Sequence, residues 1–150
     1  MQAYYNVLEK IKDTLKLDDF VNTVTQGSIY SIDLKKKTIF PLSHIMVENA
    51  SVTSNVLSFS VNVFCMDLVD KASELTADDF RGNDNEQDVL NTQLAVAVRL
   101  VALLERGEDT GTYQIVGQPN LEPFTERFEN YLAGWVLSFD IIVPNTMTVC

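Results

Sequence analysis

The chain has 150 residues, a formal net charge of -10 and 46% hydrophobic residues. That length suits one domain spanning residues 1–150, and a domain of this size folds without needing a disulfide or a metal. The apolar content argues against wholesale disorder. We expect no membrane-spanning segment and no secretory signal, because the apolar runs fall short of roughly 18 residues and the first residues lack a basic flank.

Acidic residues outnumber basic ones 21 to 11. Such a surplus disfavours contact with nucleic-acid phosphates unless the few cations are gathered on one patch. The nearest approach to a patch is Lys35-Lys36-Lys37, which has no interleaved aromatic residues. We interpret these three lysines as the solvated tip of a turn rather than a nucleic-acid site.

The first third of the chain predicts a helix followed by short strands. Residues 3–17 place apolar side chains at helical spacing, on a stripe formed by Tyr4, Leu8, Ile11 and Leu15. Residues 20–26 are rich in β-branched types and predict a strand that Gly27 ends. Residues 28–33 suit a second extended piece before the lysine turn.

Two longer strands are predicted next. Residues 38–53 form the first, with Pro41 marking an edge or a bulge because proline removes a ladder donor, and the polar residues 49–55 favour a turn. Residues 56–69 alternate strictly up to Cys65, which predicts a half-buried antiparallel strand. Beyond Cys65 both faces are apolar, so we expect that end to be covered on both sides, by helices or by a neighbouring subunit.

The second half predicts one long helix between a loop and a final strand. Residues 70–88 form a long acidic loop, and residues 86–106 a helix whose apolar stripe is Leu90, Leu94, Ala97, Val101 and Leu104, widened by Val98 and Leu100. Residues 112–116 suit a strand, 117–123 a loop, and 132–143 an alternating strand. The predicted fold class is α+β, a small antiparallel sheet with two main helices packed on one face.

Catalytic chemistry finds little support in the sequence. His44 is the single histidine, and its neighbour Ser43 would point to the opposite face of a strand. Cys65 and Cys150 form no C-x-x-C pair and have no familiar zinc spacing with His44. We therefore interpret His44 and Cys65 as structural, expect no cofactor, and take the cysteine usage to fit a reducing compartment.

The carboxylates of the acidic loop are the strongest candidate for a site. Oxygen ligands suited to calcium are present, but their spacing does not match a calcium loop, so a solvated or partner-facing loop is preferred over a cation site. The loop carboxylates concerned are Asp78, Asp79, Asp84, Glu86 and Asp88. Glu126 and Glu129 flank Arg127 on what would be a salt-bridged helical turn, and no glycine-rich phosphate loop is found.

Three segments carry a resemblance to a known class of proteins. They are RGNDNEQDVLNTQLAVAVRL, EPFTERFENYLAGWVLSFDIIVPNTMTVC and IFPLSHIMVENASVTSNVLSFSVNVFCMDLVD. Together with the opening helix, they make nearly the whole chain resemble small neck or tail-completion proteins of tailed bacteriophages, especially crAss-like and related phages of Bacteroidota hosts.

The resemblance implies a virion protein with a tail-terminator-like fold and no catalytic residues. It implies a ring of six or twelve copies in the head-to-tail connector, assembled in the host bacterial cytoplasm and stacked against portal, connector or tail ring proteins. DNA would pass through the lumen without specific binding, which suits the acidic surplus. We expect Asp78, Asp79, Asp84 and Glu86 to line the lumen or face the adjacent ring.

Two other classes of function remain open from the sequence. The first is a binding module, an acidic protein that sequesters a basic partner. The second is an enzyme that uses His44 or a metal at the acidic loop, although no residue set has catalytic spacing.

Overall fold

A computed structural model describes residues 3–28, 39–69, 86–106, 113–127 and 132–144 of the chain. They contain two helices, the first followed by three strands and the second by two, so the α+β class is confirmed. In chain order the elements are α1 (Ala3–Lys16), β1 (Thr23–Gln26), β2 (Leu42–Val52), β3 (Val56–Leu68), α2 (Glu86–Arg106), β4 (Gln114–Arg127) and β5 (Leu132–Pro144).

The five strands form one sheet in the order β1-β2-β3-β5-β4. The pairs β2–β3, β3–β5 and β4–β5 are antiparallel, as predicted. The expectation of a wholly antiparallel sheet is wrong, because β1 runs parallel to β2, with Thr23 beside Leu42. The two strands of this pair therefore run in the same direction along one edge of the sheet.

Pro41 lies immediately before β2 rather than inside it, which corrects the predicted interruption of that strand. Its carbonyl oxygen accepts hydrogen bonds from the backbone N–H groups of Asn22 and Thr23, and the Phe40–Pro41 peptide is cis. Proline here costs no ladder donor, because the strand begins one residue later. The irregularity in β2 instead lies between Val47 and Asn49, where the register with β3 shifts.

The main core lies between the helices and one face of the sheet. Alternate residues of β3 and β5 point into it, as the sequence predicts, and almost all are buried: Leu57, Phe59, Val61, Val63, Cys65, Leu137, Phe139, Ile141 and Val143. α2 packs on β3, β5 and β4, while α1 packs on α2 and β1. Burial of these side chains supplies most of the driving force for folding.

Each helix buries a face slightly different from the predicted stripe. In α1, Val7 is buried and Tyr4 is 45% exposed. The buried stripe therefore begins at Val7 and not at Tyr4. In α2, Val89 and Val96 are buried and Val98 is 51% exposed. By length and composition alone, Gln87–Arg106 would suffice to cross a membrane. A core helix has the same character, and α2 lies against the sheet.

Two predicted loops are strand. Residues 49–52 continue β2, and the turn to β3 is confined to residues 53–55, so the exposed hairpin is longer than predicted. Residues 117–123 belong to β4, which tolerates Gly117 at a φ of 72° because the register with β5 shifts between Val116 and Asn120. An edge strand with a bulge accommodates glycine and proline that a central strand excludes.

Candidate interaction surfaces

The sheet face that α1 and α2 leave uncovered is divided into an apolar end and a polar end. At the apolar end, a second cluster of buried side chains joins residues from four parts of the chain: Phe40, Leu42, Met66, Phe124 and Leu132. Phe64, Leu68 and Val136 pack against this cluster. This arrangement confirms that the sheet is apolar on both faces beyond Cys65.

The polar end is a groove of about 610 Å³ that crosses β2, β3, β5 and β4. Two groups of side chains that are joined by hydrogen bonds line this groove. The Asn62 amide donates to Glu48 Oε1 at 2.6 Å and accepts from the Ser138 hydroxyl at 2.8 Å. The Ser60 hydroxyl donates to Asp140 Oδ1 at 2.7 Å. These cross-strand bonds fix the polar side chains at the sheet surface.

The groove is acidic. Glu48, Glu122 and Asp140 all line it, and all three are exposed. The side chains that donate hydrogen bonds to Glu48 and Asp140 are the neutral groups of Asn62 and Ser60. Among the described residues that line the groove there is no lysine or arginine. We call this surface the acidic groove.

The opposite side of the molecule presents the outer surface of α1. Tyr5 is 69% exposed, and Tyr5, Glu9, Lys12 and Lys16 follow one another at spacings of four, three and four residues, which places them on one helix face. Lys12 Nζ lies 3.4 Å from Glu9 Oε2. A cleft of about 360 Å³ runs beside this face, between α1 and β1. We call the four residues the α1 face.

His44 has a structural role, because its side chain joins β2 to β1 and to the residue that follows β1 by hydrogen bonds. Its ring is fully buried; Nε2 donates to the Gly27 carbonyl oxygen at 2.8 Å, and Nδ1 lies 2.8 Å from the Thr25 hydroxyl. Because the carbonyl can only accept, Nε2 carries the proton and Nδ1 of the neutral ring accepts from Thr25. Burial lowers the pKa of His44, against the opposing effect of its bond to Gly27.

Two further buried polar groups lie on the helix-covered side. Burial raises the pKa of the Cys65 thiol to about 12, so the thiol stays protonated and is a poor nucleophile. The Gln93 side chain of α2 is 1% exposed, and neither of its amide atoms has a hydrogen-bond partner among the described residues. Neither group faces the acidic groove or the α1 face.

The structure brings together few of the residues that the sequence singled out. Asp78, Asp79 and Asp84 lie outside the described residues, as do Lys35-Lys36-Lys37, Glu129 and Cys150. Glu86 is the first residue of α2, and Asp88 is exposed on that helix. Glu126 lies in β4, so the predicted helical turn around Arg127 is wrong.

Ser43 and His44 follow the predicted alternation. Ser43 pairs with Cys65, whose side chain enters the main core, and His44 pairs with Phe64, whose ring lies on the other sheet face. Within the part of the chain that the structure describes, no group of three His, Cys, Asp or Glu side chains could hold a metal ion.

Sequence reasoning missed the acidic groove and the α1 face. The groove residues come from four strands and are separated by up to 92 positions (Glu48 to Asp140), so no local spacing marks them. Alternation along β3 did place Ser60 and Asn62 on the face away from the core, which is the one signal that pointed to the groove. For α1, the pattern of the sequence marks the apolar stripe and gives no signal that the lysines outside it form a contact surface.

No protein-family model matches the chain, and no curated protein matches it significantly.

Proposed function

We propose that the chain is a structural virion protein that forms a homo-oligomeric ring in the neck of a tailed phage, with a tail-terminator-like fold and a tail-terminator or tail-completion role. In this proposal the chain carries out no chemistry. Its work is to contact copies of itself and the portal, connector or tail rings above and below, while DNA passes through the lumen.

The observation that carries the proposal is the exposure of large apolar side chains at the start of α1 and just beyond its end. Tyr5, Leu17 and Phe20 are 69%, 73% and 56% exposed, and Tyr4 is 45% exposed beside them in the sequence. Exposed large apolar side chains are common at sites that bind another protein, and tyrosine and phenylalanine are enriched at such interfaces. A subunit whose purpose is assembly requires surface of this kind.

The distribution of charge adds support. A closed ring repeats one contact between two different surfaces of the subunit, and here the acidic groove and the α1 face lie on opposite sides of one sheet. The overall charge of -10 suits a channel that passes DNA without adhering to it. The resemblance to phage neck proteins, stated from the sequence, points in the same direction.

Purification of phage particles tests the virion role. We expect mass spectrometry of particles from the parent phage to detect the chain in several copies per particle, and electron microscopy of the purified chain to show rings. A chain that is absent from particles and monomeric in the host cytoplasm would overturn the proposal.

The acidic loop offers a second test of the same role. Replacing Asp78, Asp79 and Asp84 by lysine should impair contact with the adjacent ring or release of DNA, because these charges would face the lumen or the neighbour. Unchanged assembly and DNA release in this variant would remove the loop from the proposal.

One observation favours an alternative function, an acidic module that sequesters a basic partner. The acidic groove has three carboxylates and no described basic residue within it, so it suits a lysine-rich or arginine-rich segment. A discrete complex of one copy of the chain with one basic protein, and no assembly of the chain with itself, would support this alternative.

A further inference from the structure

The charges of the described elements are unevenly distributed. α1 has a net positive charge, since Lys10, Lys12 and Lys16 outnumber Glu9 and Asp13. Every other described helix or strand that carries charged residues has a net negative charge with His44 neutral. In a chain with 21 acidic and 11 basic residues, a basic helix is therefore the natural complement of an acidic groove on another copy.

The two surfaces also match in size. Lys12 and Lys16 are about one helical turn apart, roughly 6 Å along the axis. The carboxylates of Glu48 and Glu122 lie on β2 and β4, which are separated by three strand spacings, or roughly 14 Å. Both lysines of one helix therefore fit within the width of one groove, with the exposed ring of Tyr5 at its margin.

The two surfaces cannot meet within one molecule. α1 packs on α2 and β1 on the helix-covered side of the sheet, whereas Glu48, Asn62 and Asp140 line the other side. Contact between them therefore requires a second copy. Such a contact is head-to-tail, because each copy offers the helix to one neighbour and the groove to the other, and repetition closes a ring when the rotation permits.

We infer that the α1 face of one copy docks in the acidic groove of the next copy. Lys12 and Lys16 lie among the carboxylates of Glu48, Glu122 and Asp140, and Tyr5 buries apolar surface at the rim. This inference rests on the proposed function, which requires self-association, and specifies the two surfaces that meet.

Charge reversal on each surface tests the contact. The groove variant carries Glu48→Lys and Glu122→Lys, and the helix variant carries Lys12→Glu and Lys16→Glu. All four side chains are at the surface, so each variant should fold. Sedimentation velocity on each purified full-length variant should show at least tenfold weaker self-association than the parent chain, because each variant places like charges opposite one another.

Mixing the two variants gives the sharper result. The groove variant has a basic groove and a basic helix, and the helix variant has an acidic groove and an acidic helix. An equimolar mixture should restore multimers in which the two variants alternate, which native mass spectrometry resolves when one variant is isotopically labelled. Recovery in the mixture cannot come from a folding defect in either variant.

A matched control changes the same amount of charge elsewhere. Asp88→Lys with Glu105→Lys alters two exposed acidic residues of α2, and should leave self-association within about twofold of the parent. Rising salt should dissociate the parent multimer, since exposed charge pairs are screened.

The outcomes separate the two proposals. A parent chain that stays monomeric at every concentration overturns the proposed ring and this contact with it. A multimer that neither variant weakens leaves the ring standing and overturns the contact, as does a mixture that fails to recover. If the groove variant loses only the binding of a polylysine peptide and keeps its self-association, the groove serves an external basic partner, and the contact between copies is wrong.

Discussion

The two faces of the sheet are built from the same strands, yet they have different chemistry. Towards α1 and α2, β3 and β5 present an unbroken apolar surface that is buried from Leu57 to Cys65. On the other face, the sheet presents an apolar cluster at one end, and hydrogen-bonded polar side chains with exposed carboxylates at the other. The helix-covered face and the buried apolar cluster hold the fold together, while the exposed carboxylates of the acidic groove leave the polar end of the other face available for contact.

The largest expected effect of a substitution lies on the helix-covered face. Leu137 is fully buried in the main core, so Leu137→Ala should lower the free energy of unfolding by about 2–5 kcal/mol through lost burial and the cavity left behind. Urea denaturation measures this difference. Val116→Ala, at a site that is 47% exposed, is the control and should change stability by at most about 0.5 kcal/mol. Equal losses in both variants would contradict the comparison.

Gln93 is one of the buried polar side chains on the helix-covered side. Because neither amide atom has a hydrogen-bond partner in the described part of the chain, replacing Gln93 with an apolar residue of similar length removes a desolvation penalty. Gln93→Met should raise the free energy of unfolding by about 1–3 kcal/mol, measured by the same denaturation. A loss of stability would show that the amide makes a bond that holds α2 in place.

His44, which lies where β2 pairs in parallel with β1, should make the stability of the fold depend on pH. Its pKa is lowered in the folded state by burial, so below its unfolded value of 6.5 the unfolded chain binds more protons than the folded chain. Stability should be complete above pH 6.5 and should fall as the pH drops through the lowered folded pKa. Thermal melting from pH 7.5 downwards, compared with His44→Gln, isolates this contribution, and identical slopes for the two chains would refute it.

The smallest effect on stability is expected in the acidic groove. Glu122 is exposed and lies on the edge strand β4, so Glu122→Lys should change the free energy of unfolding by at most about 0.5 kcal/mol while weakening self-association. A substitution that alters assembly without altering stability is what distinguishes a contact face from a folding face. A large loss of stability would assign the groove to the fold instead.

The sequence predicts the elements whose pattern is local and strong. Burial against one core requires apolar residues at alternate positions of β3 and β5 and at helical spacing in α2. These periods are therefore visible in the sequence itself. β4 was partly missed because Gly117, Pro119 and Pro123 are typical of loops, and only the edge position and the register shift make them acceptable in a strand.

Other features depend on partners that are distant in the sequence. The parallel pairing of β1 with β2 is specified by Thr23 meeting Leu42, and neither residue signals it alone. The acidic groove likewise requires the sheet order β2-β3-β5-β4 before Glu48 and Glu122 can face one cavity. In α1, Tyr4 fits the apolar period as well as Val7 does, and packing against α2 and β1 decides which of them is buried.

The mass of the purified full-length chain in solution tests the account most directly. Light scattering coupled to size-exclusion chromatography, over a wide range of protein concentrations, should give one discrete species whose mass is an integral multiple of 16.9 kDa. A single species at 16.9 kDa at every concentration would contradict assembly through the two surfaces and, with it, the proposed role as a ring subunit.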